Sequence, residues 1–280
     1  MNVGVAVLGT GRLGGRYIDI VKETDGTEMK AVAEPREEQV APLKMDHPDV
    51  DFVADYRELL ERDDIHIVIG TLPHWLHKQA AIDAAMHGKH IYLEKPMSVF
   101  LDECDEMLDA ARHNNVKLMT AHTQRYFPTV RKMKEIAESK RLGELIMAYE
   151  IWHKPLNPGA RSPWMLDRKL GGGMGQMDGT HLIDRLLWIF GNDVASVSGI
   201  TSNFCFPDVD ADDTGMCLIR WKSGKAATIS PGVQYGHHVA AVDLWDRRVV
   251  VAPVQRVDEL PEFQGHRVVL LDGLASPFFP

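Results

Sequence analysis

Along the first 120 residues the hydrophobic pattern alternates between two periods. Val3 to Leu8 is a continuous apolar run of strand length, and after Gly11 the positions Leu13, Tyr17 and Ile20-Val21 recur at helical spacing. "TEMKAVAE" and "DIHIVIGTLP" read as further strands, with "DFVADY" a weaker edge strand between them. "HKQAAIDAAMHGKH" is an alanine-rich helix stopped by Gly88, a residue suited to a helix C-cap. "HIYLE", "LDECDEMLDAARHN" and "VKLMTAH" continue as strand, helix and strand. Apolar strands alternating with amphipathic helices predict an α/β domain over residues 1–122, a doubly wound parallel sheet covered on both faces.

After His122 the rhythm changes. "PTVRKMKEIAESK" is a proline-started helix, "ELIMAYEIW" a strand, and "HLIDRLLWIFG" an apolar helix that follows the irregular "HKPLNPGARSPWMLDRKLGGG". From Val194 the strand-like runs "VASVSGITSNFCF", "TGMCLIRW", "AATIS", "RRVVVAP" and "HRVVLL" succeed one another with little helix between. Residues 123–280 are therefore expected to form an α+β domain with an open, mostly antiparallel sheet.

Composition narrows the function. With 45% hydrophobic and 25% charged residues over 280, the chain can build a core in two domains. A formal net charge of -9 argues against a nucleic-acid surface, which needs a basic patch. Cys104, Cys205 and Cys217 are scattered and form no C-x-x-C pair, which fits a reducing compartment without a zinc site. His74 and His77 have ligand-like spacing but no evident third ligand, so no metal is expected. The start "MNVGVAVLGTGRLGG" lacks the basic lead of a signal peptide, and no window approaches the ~20 apolar residues of a membrane span. The expectation is a cytoplasmic protein.

"GTGRLG" sets Gly9, Gly11 and Gly14 in G-x-G-x-x-G spacing, directly after a strand and opening a helix. The first glycine allows a tight turn, the second a close approach to a pyrophosphate, and the third close packing of helix on strand. Free amides at the helix start then face the phosphates, and Arg12 and Leu13 belong to the same cofactor-binding loop. Glu34 closes the second strand 20 residues after Gly14, placed to accept hydrogen bonds from ribose hydroxyls and to repel a 2′-phosphate. NAD is thereby favoured over NADP, although Arg36 partly offsets the preference.

"HIYLEKPMSV" ends an apolar strand by presenting Glu94 and Lys95 side by side before Pro96. Open parallel sheets bind ligands at the carboxyl ends of their strands, so Thr71-Leu72-Pro73 and Glu94-Lys95-Pro96 should share one crevice with the glycine loop. Oxidising an alcohol needs a group to take the hydroxyl proton. A lysine does so once burial and a neighbouring positive ring lower its pKa.

The segments "GTGRLG", "AVAEP", "GTLPHWLH", "AAMHGKHIYLEKPMS", "TQRYFP", "GELIMAYEIW" and "GGGMGQMDGTHLIDRLLWIFG", in this order over residues 3 to 192, resemble the Gfo/Idh/MocA family, named for glucose–fructose oxidoreductase and inositol dehydrogenase. The resemblance implies a Rossmann domain followed by a domain with an open sheet, and NAD(P)-dependent hydride transfer on a hydroxyl or carbonyl of a sugar, cyclitol or related polyol. It implies that Lys95 is the catalytic lysine, and that Thr71, Pro73, His77 and Glu94 lie on the cofactor side. Arg125 and Trp164 would border the substrate, and His181 in "GTHLID" would share proton transfer or anchor the reacting oxygen. From the residues alone, His181 reads equally as a helical histidine paired with Asp184. A homodimer or homotetramer through the second sheet is also implied.

Two departures stand out. Many dehydrogenases of the family carry an aspartate four residues before the histidine; here that position is Met177, and Asp178 is the substitute orienter. The family's further strand and long C-terminal helix have no counterpart before "GLASPFFP", so the second domain is expected to be shortened. Two alternatives follow: an NAD-dependent glycosidase-like member, and a non-catalytic nucleotide-binding regulatory or partner protein.

Overall fold

The computed structural model describes residues 2–234 other than Arg12, and the backbone at 240–241 and 252–253. Six parallel strands form the first sheet: β1 (Val3–Leu8), β2 (Thr27–Ala33), β3 (Asp51–Val53), β4 (Ile67–Gly70), β5 (His90–Leu93) and β6 (Leu118–Thr120), in the order β3-β2-β1-β4-β5-β6. Helices α1 (Gly14–Glu23), α2 (Glu37–Asp46), α3 (Arg57–Leu60), α4 (His77–Met86) and α5 (Leu101–His113) make the crossovers. The strand order reverses between β1 and β4, and such a reversal opens a crevice at the strands' carboxyl ends.

The apolar runs are continuous because both faces of the sheet are covered. Ala6, Leu8, Val68, Ile91 and Leu93 pack with Ala80, Ala84 and Met107 on one side. Val5, Val7, Val32 and Ile69 pack with Ile18 and Val21 on the other. Short side chains on α4 allow it to sit close to the sheet, and Gly88 ends that helix region with a φ of 69°. β3 is an edge strand, as its weaker pattern suggested, and β6 is the other.

Beyond β6 lie α6 (Pro128–Glu138), β7 (Met147–Pro155), α7 (Gly173–Met177), α8 (Gly179–Phe190), β8 (Val194–Ser202), β9 (Thr214–Trp221) and β10 (Ala226–Gln234). The second sheet has the order β7-β10-β9-β8. β8–β9 and β9–β10 are antiparallel, while β7 and β10 run parallel because the chain passes through α7 and α8 before returning to the sheet. One face buries Ile219, Trp221, Ala227 and Ile229 against Leu182 and Leu186 of α8. The other presents Met147, Tyr149 and Ile151 of β7 with Met216 and Leu218 of β9 to solvent. "RRVVVAP" is described only at Ala252–Pro253, which pair with Ala240–Ala241; "HRVVLL" and Arg12 lie outside the described residues.

The two sheets are tied together by α8. Arg125, just past β6, makes a bidentate ion pair with Asp184, at 2.8 Å from Nε to Oδ2 and 2.5 Å from Nη2 to Oδ1. Arg185, one residue on, binds Glu150 of β7 through two nitrogens and also donates to the Gln124 side chain. A rigid joint of charge-assisted hydrogen bonds thus fixes α8 beside the end of the first sheet.

Candidate active site

A cavity of about 550 Å³ opens at the carboxyl ends of β1, β4 and β5. Gly9, Gly11, Leu13, Glu34, Thr71, Pro73, Glu94 and Lys95 line it from the first sheet; Lys154, Arg161, Ser162, Trp164, Met165, Met177 and Asp178 line it from the second domain.

At the glycine end the backbone is shaped for a phosphate. Gly9 has a φ of 90°, which a side chain would strain. A Cβ on Gly14 would stand 2.0 Å from the Gly9 carbonyl oxygen, whereas one on Gly11 would meet nothing within 4 Å. The loop is therefore held tight at its ends and open in the middle. Among the described residues no side chain caps the start of α1, and the Gly14 amide turns back to the Gly11 carbonyl at 3.2 Å. Thr71 Oγ1 donates to the Gly9 carbonyl at 2.6 Å, locking the end of β4 to the loop. These residues fit a dinucleotide: Gly9 to Gly14 for the pyrophosphate, Glu34 for a ribose, Thr71 and Pro73 beside the remainder.

Glu34 is buried, and the Thr10 amide and hydroxyl both donate to its Oε2, at 2.8 and 2.9 Å. Arg36 clasps the same carboxylate through Nε and Nη2 at 2.6 and 2.9 Å. Burial by itself would raise the Glu34 pKa, but the Arg36 and Thr10 hydrogen bonds prevail and lower it to about 2.

At the other end, Lys95 follows β5 and is joined to Pro96 by a cis peptide bond. Its Nζ donates to the main-chain carbonyl of Met177 at 2.7 Å. Burial lowers the Lys95 pKa against the opposing pull of Asp178 and Glu94, and the charges of Lys154 and Arg161 lower it further. Glu94 is fixed by the Tyr17 hydroxyl, which donates to Oε1 at 2.6 Å, and by the Lys95 amide at Oε2. His181, buried on α8, has an Nδ1 with no hydrogen-bond partner among the described residues. Burial, then the nearby Lys95 charge, lowers its pKa to about 3, so its imidazole is neutral.

Asp184 does not pair with His181, since its carboxylate is taken by Arg125. Asp178 does not orient the imidazole either; its Oδ2 lies 2.5 Å from Lys154 Nζ. His77 sits behind the cavity wall, with Nδ1 3.0 Å from the Pro96 carbonyl and Nε2 3.0 Å from that of Leu72, so it clamps the two strand-end loops together. Arg125 is at the domain joint rather than in the cavity wall. Trp164 does border the cavity, edge-on to His74 at 4.8 Å between ring centres. Lys154, Arg161, Ser162 and Met165 were not marked by the sequence. The only signal was that Lys154 ends a strand, as Lys95 does.

A family model described as an oxidoreductase family with an NAD-binding Rossmann fold matches residues 3–122, and the GFO/IDH/MocA C-terminal domain matches residues 130–251. The chain belongs to the Gfo/Idh/MocA oxidoreductase family. Among Gfo/Idh/MocA relatives it is 32% identical over 147 residues to a 2,7-anhydro-N-acetylneuraminate hydratase of Mediterraneibacter gnavus, covering 52% of this chain and 38% of that protein. It is 25% identical over 228 residues to a myo-inositol 2-dehydrogenase of Thermotoga maritima, covering 80% of this chain and 67% of that one. The crystal structure of a putative NADPH-dependent oxidoreductase from Desulfitobacterium hafniense superposes with a TM-score of 0.76 at 26% identity, over 82% of this chain and 67% of that one. The chain thus spans less than half the length of the first of these relatives.

The Gfo/Idh/MocA glycine loop yields a direct test. Gly14→Ala forces a methyl group onto the Gly9 carbonyl, and NADH affinity measured by fluorescence titration is expected to fall about tenfold or more while far-UV circular dichroism is unchanged. Unaltered affinity would show that this loop does not hold the cofactor.

Proposed function

We propose that the protein is an oxidoreductase that transfers a hydride between a nicotinamide cofactor and a hydroxyl or carbonyl of a sugar, cyclitol or related polyol. The observation that carries this reading is the placement of Lys95 in the same cavity as the glycine loop, with its ammonium hydrogen-bonded to a neutral carbonyl. The bound nicotinamide would supply the hydride acceptor.

In oxidation, Lys95 acts as a neutral amine and takes the substrate hydroxyl's proton at Nζ. In reduction its ammonium polarises the carbonyl and returns that proton. The Met177 carbonyl holds Nζ in place without a carboxylate's strong preference for the charged lysine. His181, neutral and with Nδ1 unpartnered among the described residues, does not line the cavity, so Lys95 is the proton carrier that the cavity presents. Trp164 lines the cavity beside His74 and gives that side an apolar surface.

Glu34 favours NAD, since a buried carboxylate at the ribose position repels a 2′-phosphate. Arg36 is the residue through which NADP would be accommodated, by releasing Glu34. A second reading is favoured by the hydratase named among the relatives. In that reading the cofactor is used transiently within one turnover, with Lys95 as the same proton carrier and no net change in the nicotinamide.

The outward apolar side chains of the second sheet, Met147, Tyr149, Ile151, Met216 and Leu218, support a homodimer or homotetramer through that face, because patches of this kind mark interaction sites. Sedimentation at micromolar concentration is expected to give an oligomer, and a monomer would contradict the assembly.

Turnover is tested by following reduced nicotinamide with a sugar and cyclitol panel, in NAD⁺ and NADP⁺ arms. Lys95→Met is expected to lower kcat about 10²–10⁴-fold with NADH affinity retained. Because the neutral amine is the base and burial lowers its pKa, kcat/KM for oxidation should rise with pH and level off below 10.5, the ordinary lysine value. Full activity of Lys95→Met would remove the proposed chemistry.

A further inference from the structure

The second-domain wall of the cavity is rich in donors and poor in acceptors. Lys154, at the end of β7, and Arg161, in the irregular segment beyond it, both line the cavity that contains Lys95. Against these three cations the cavity sets Glu94, which accepts from the Tyr17 hydroxyl and the Lys95 amide, and Asp178, which is already 2.5 Å from Lys154, while Glu34 is clasped by Arg36. Lys95 is held by a neutral carbonyl. Arg161 is half-buried and forms no ion pair among the described residues; its Nη1 reaches only the Met165 sulfur, at 4.0 Å. Thioether sulfur is a weak acceptor, while a guanidinium carries five donors in a fork that fits carboxylate and phosphate oxygens.

A cavity built for a neutral polyol needs acceptors as well as donors, because every substrate hydroxyl has a proton to place. Here Met165, Met177 and Trp164 occupy much of the second-domain wall without a good side-chain acceptor, and besides Asp178 the Ser162 hydroxyl is the only side-chain acceptor there. Converging like charges repel and stay hydrated unless a counter-ion joins them.

We infer that the substrate is an anionic sugar, carrying a carboxylate or phosphate that Arg161 grips with the support of Lys154. This rests on the reading of the cavity as the substrate site of an oxidoreductase. Arg161 is the chief specificity determinant and Lys154 the second. Lys154 divides its charge between Asp178 and the ligand, and lies 5.6 Å from the centre of the Trp152 ring. An anion seated there also offsets two of the charges that act against the Lys95 ammonium.

The test reads binding rather than turnover, so its failure is separable from failure of the oxidoreductase reading. Calorimetry on the NADH complex compares glucose and galactose with glucuronate, galacturonate and glucose 6-phosphate. At least one anionic sugar is expected to bind about tenfold or more tightly than its neutral counterpart, with the preference shrinking as salt is raised. Preference confined to the uronates identifies a sugar acid; preference confined to the phosphate identifies a sugar phosphate. Arg161→Met should abolish most of the preference with far-UV circular dichroism unchanged, while Arg161→Lys restores part of it. Lys154→Met should reduce the preference less. A panel in which no anionic sugar outbinds its neutral counterpart overturns the inference, as does a preference that survives both Arg161→Met and Lys154→Met. Hydride transfer to a neutral polyol without any anion preference would overturn it too, and would leave the oxidoreductase reading standing.

Discussion

The contact between Lys95 Nζ and the Met177 carbonyl joins the first sheet to the second domain within the cavity that both residues line. A hydrogen bond from an ammonium is worth about 1.5–3 kcal/mol when made, and leaving a buried ammonium unbonded costs comparably or more. The two domains must therefore meet closely enough for a carbonyl at the end of α7 to reach a side chain at the end of β5. The Arg125–Asp184 and Arg185–Glu150 pairs hold α8 so that this distance is kept. His77 fixes the Leu72 and Pro96 carbonyls from behind, so the lysine's own loop is equally constrained.

This arrangement changes how Met177 is understood. A methionine side chain cannot hold an ammonium, and its appearance four residues before His181 suggested lost chemistry. The backbone supplies the acceptor instead. A neutral carbonyl positions Lys95 while favouring its charged form less than a carboxylate would, which leaves the amine closer to a working base. The carboxylate that sequence reasoning gave to His181 serves Lys154, and the imidazole is kept neutral by burial and by the adjacent cation.

Much of the first domain was legible because its signals are local. The glycine spacing, the strand-end Glu34 and the Glu94-Lys95-Pro96 turn each follow from a short stretch of chain, and the period-switching pattern orders the elements between them. What escaped depends on partners distant in sequence. Helical spacing alone offered Asp184 as a partner for His181, but Arg125, 59 residues away, reaches it with a bidentate geometry the imidazole cannot match. Lys154 and Arg161 carry no motif, and they become cavity residues only when the second domain closes over the first. The parallel pairing of β7 with β10 was hidden for the same reason, since strand direction is set by the path through α7 and α8 and not by the strand's own residues.

The central claim is that Lys95 is a buried amine adjusted for proton transfer beside a bound nicotinamide. NMR titration of the protein labelled with ¹³C-lysine, assigned with Lys95→Met and run without and with NAD⁺, measures this directly. The account predicts a Lys95 pKa below 10.5 in the free protein, lowered further when the positive nicotinamide ring enters the site. An ordinary lysine value that NAD⁺ leaves unmoved would contradict it.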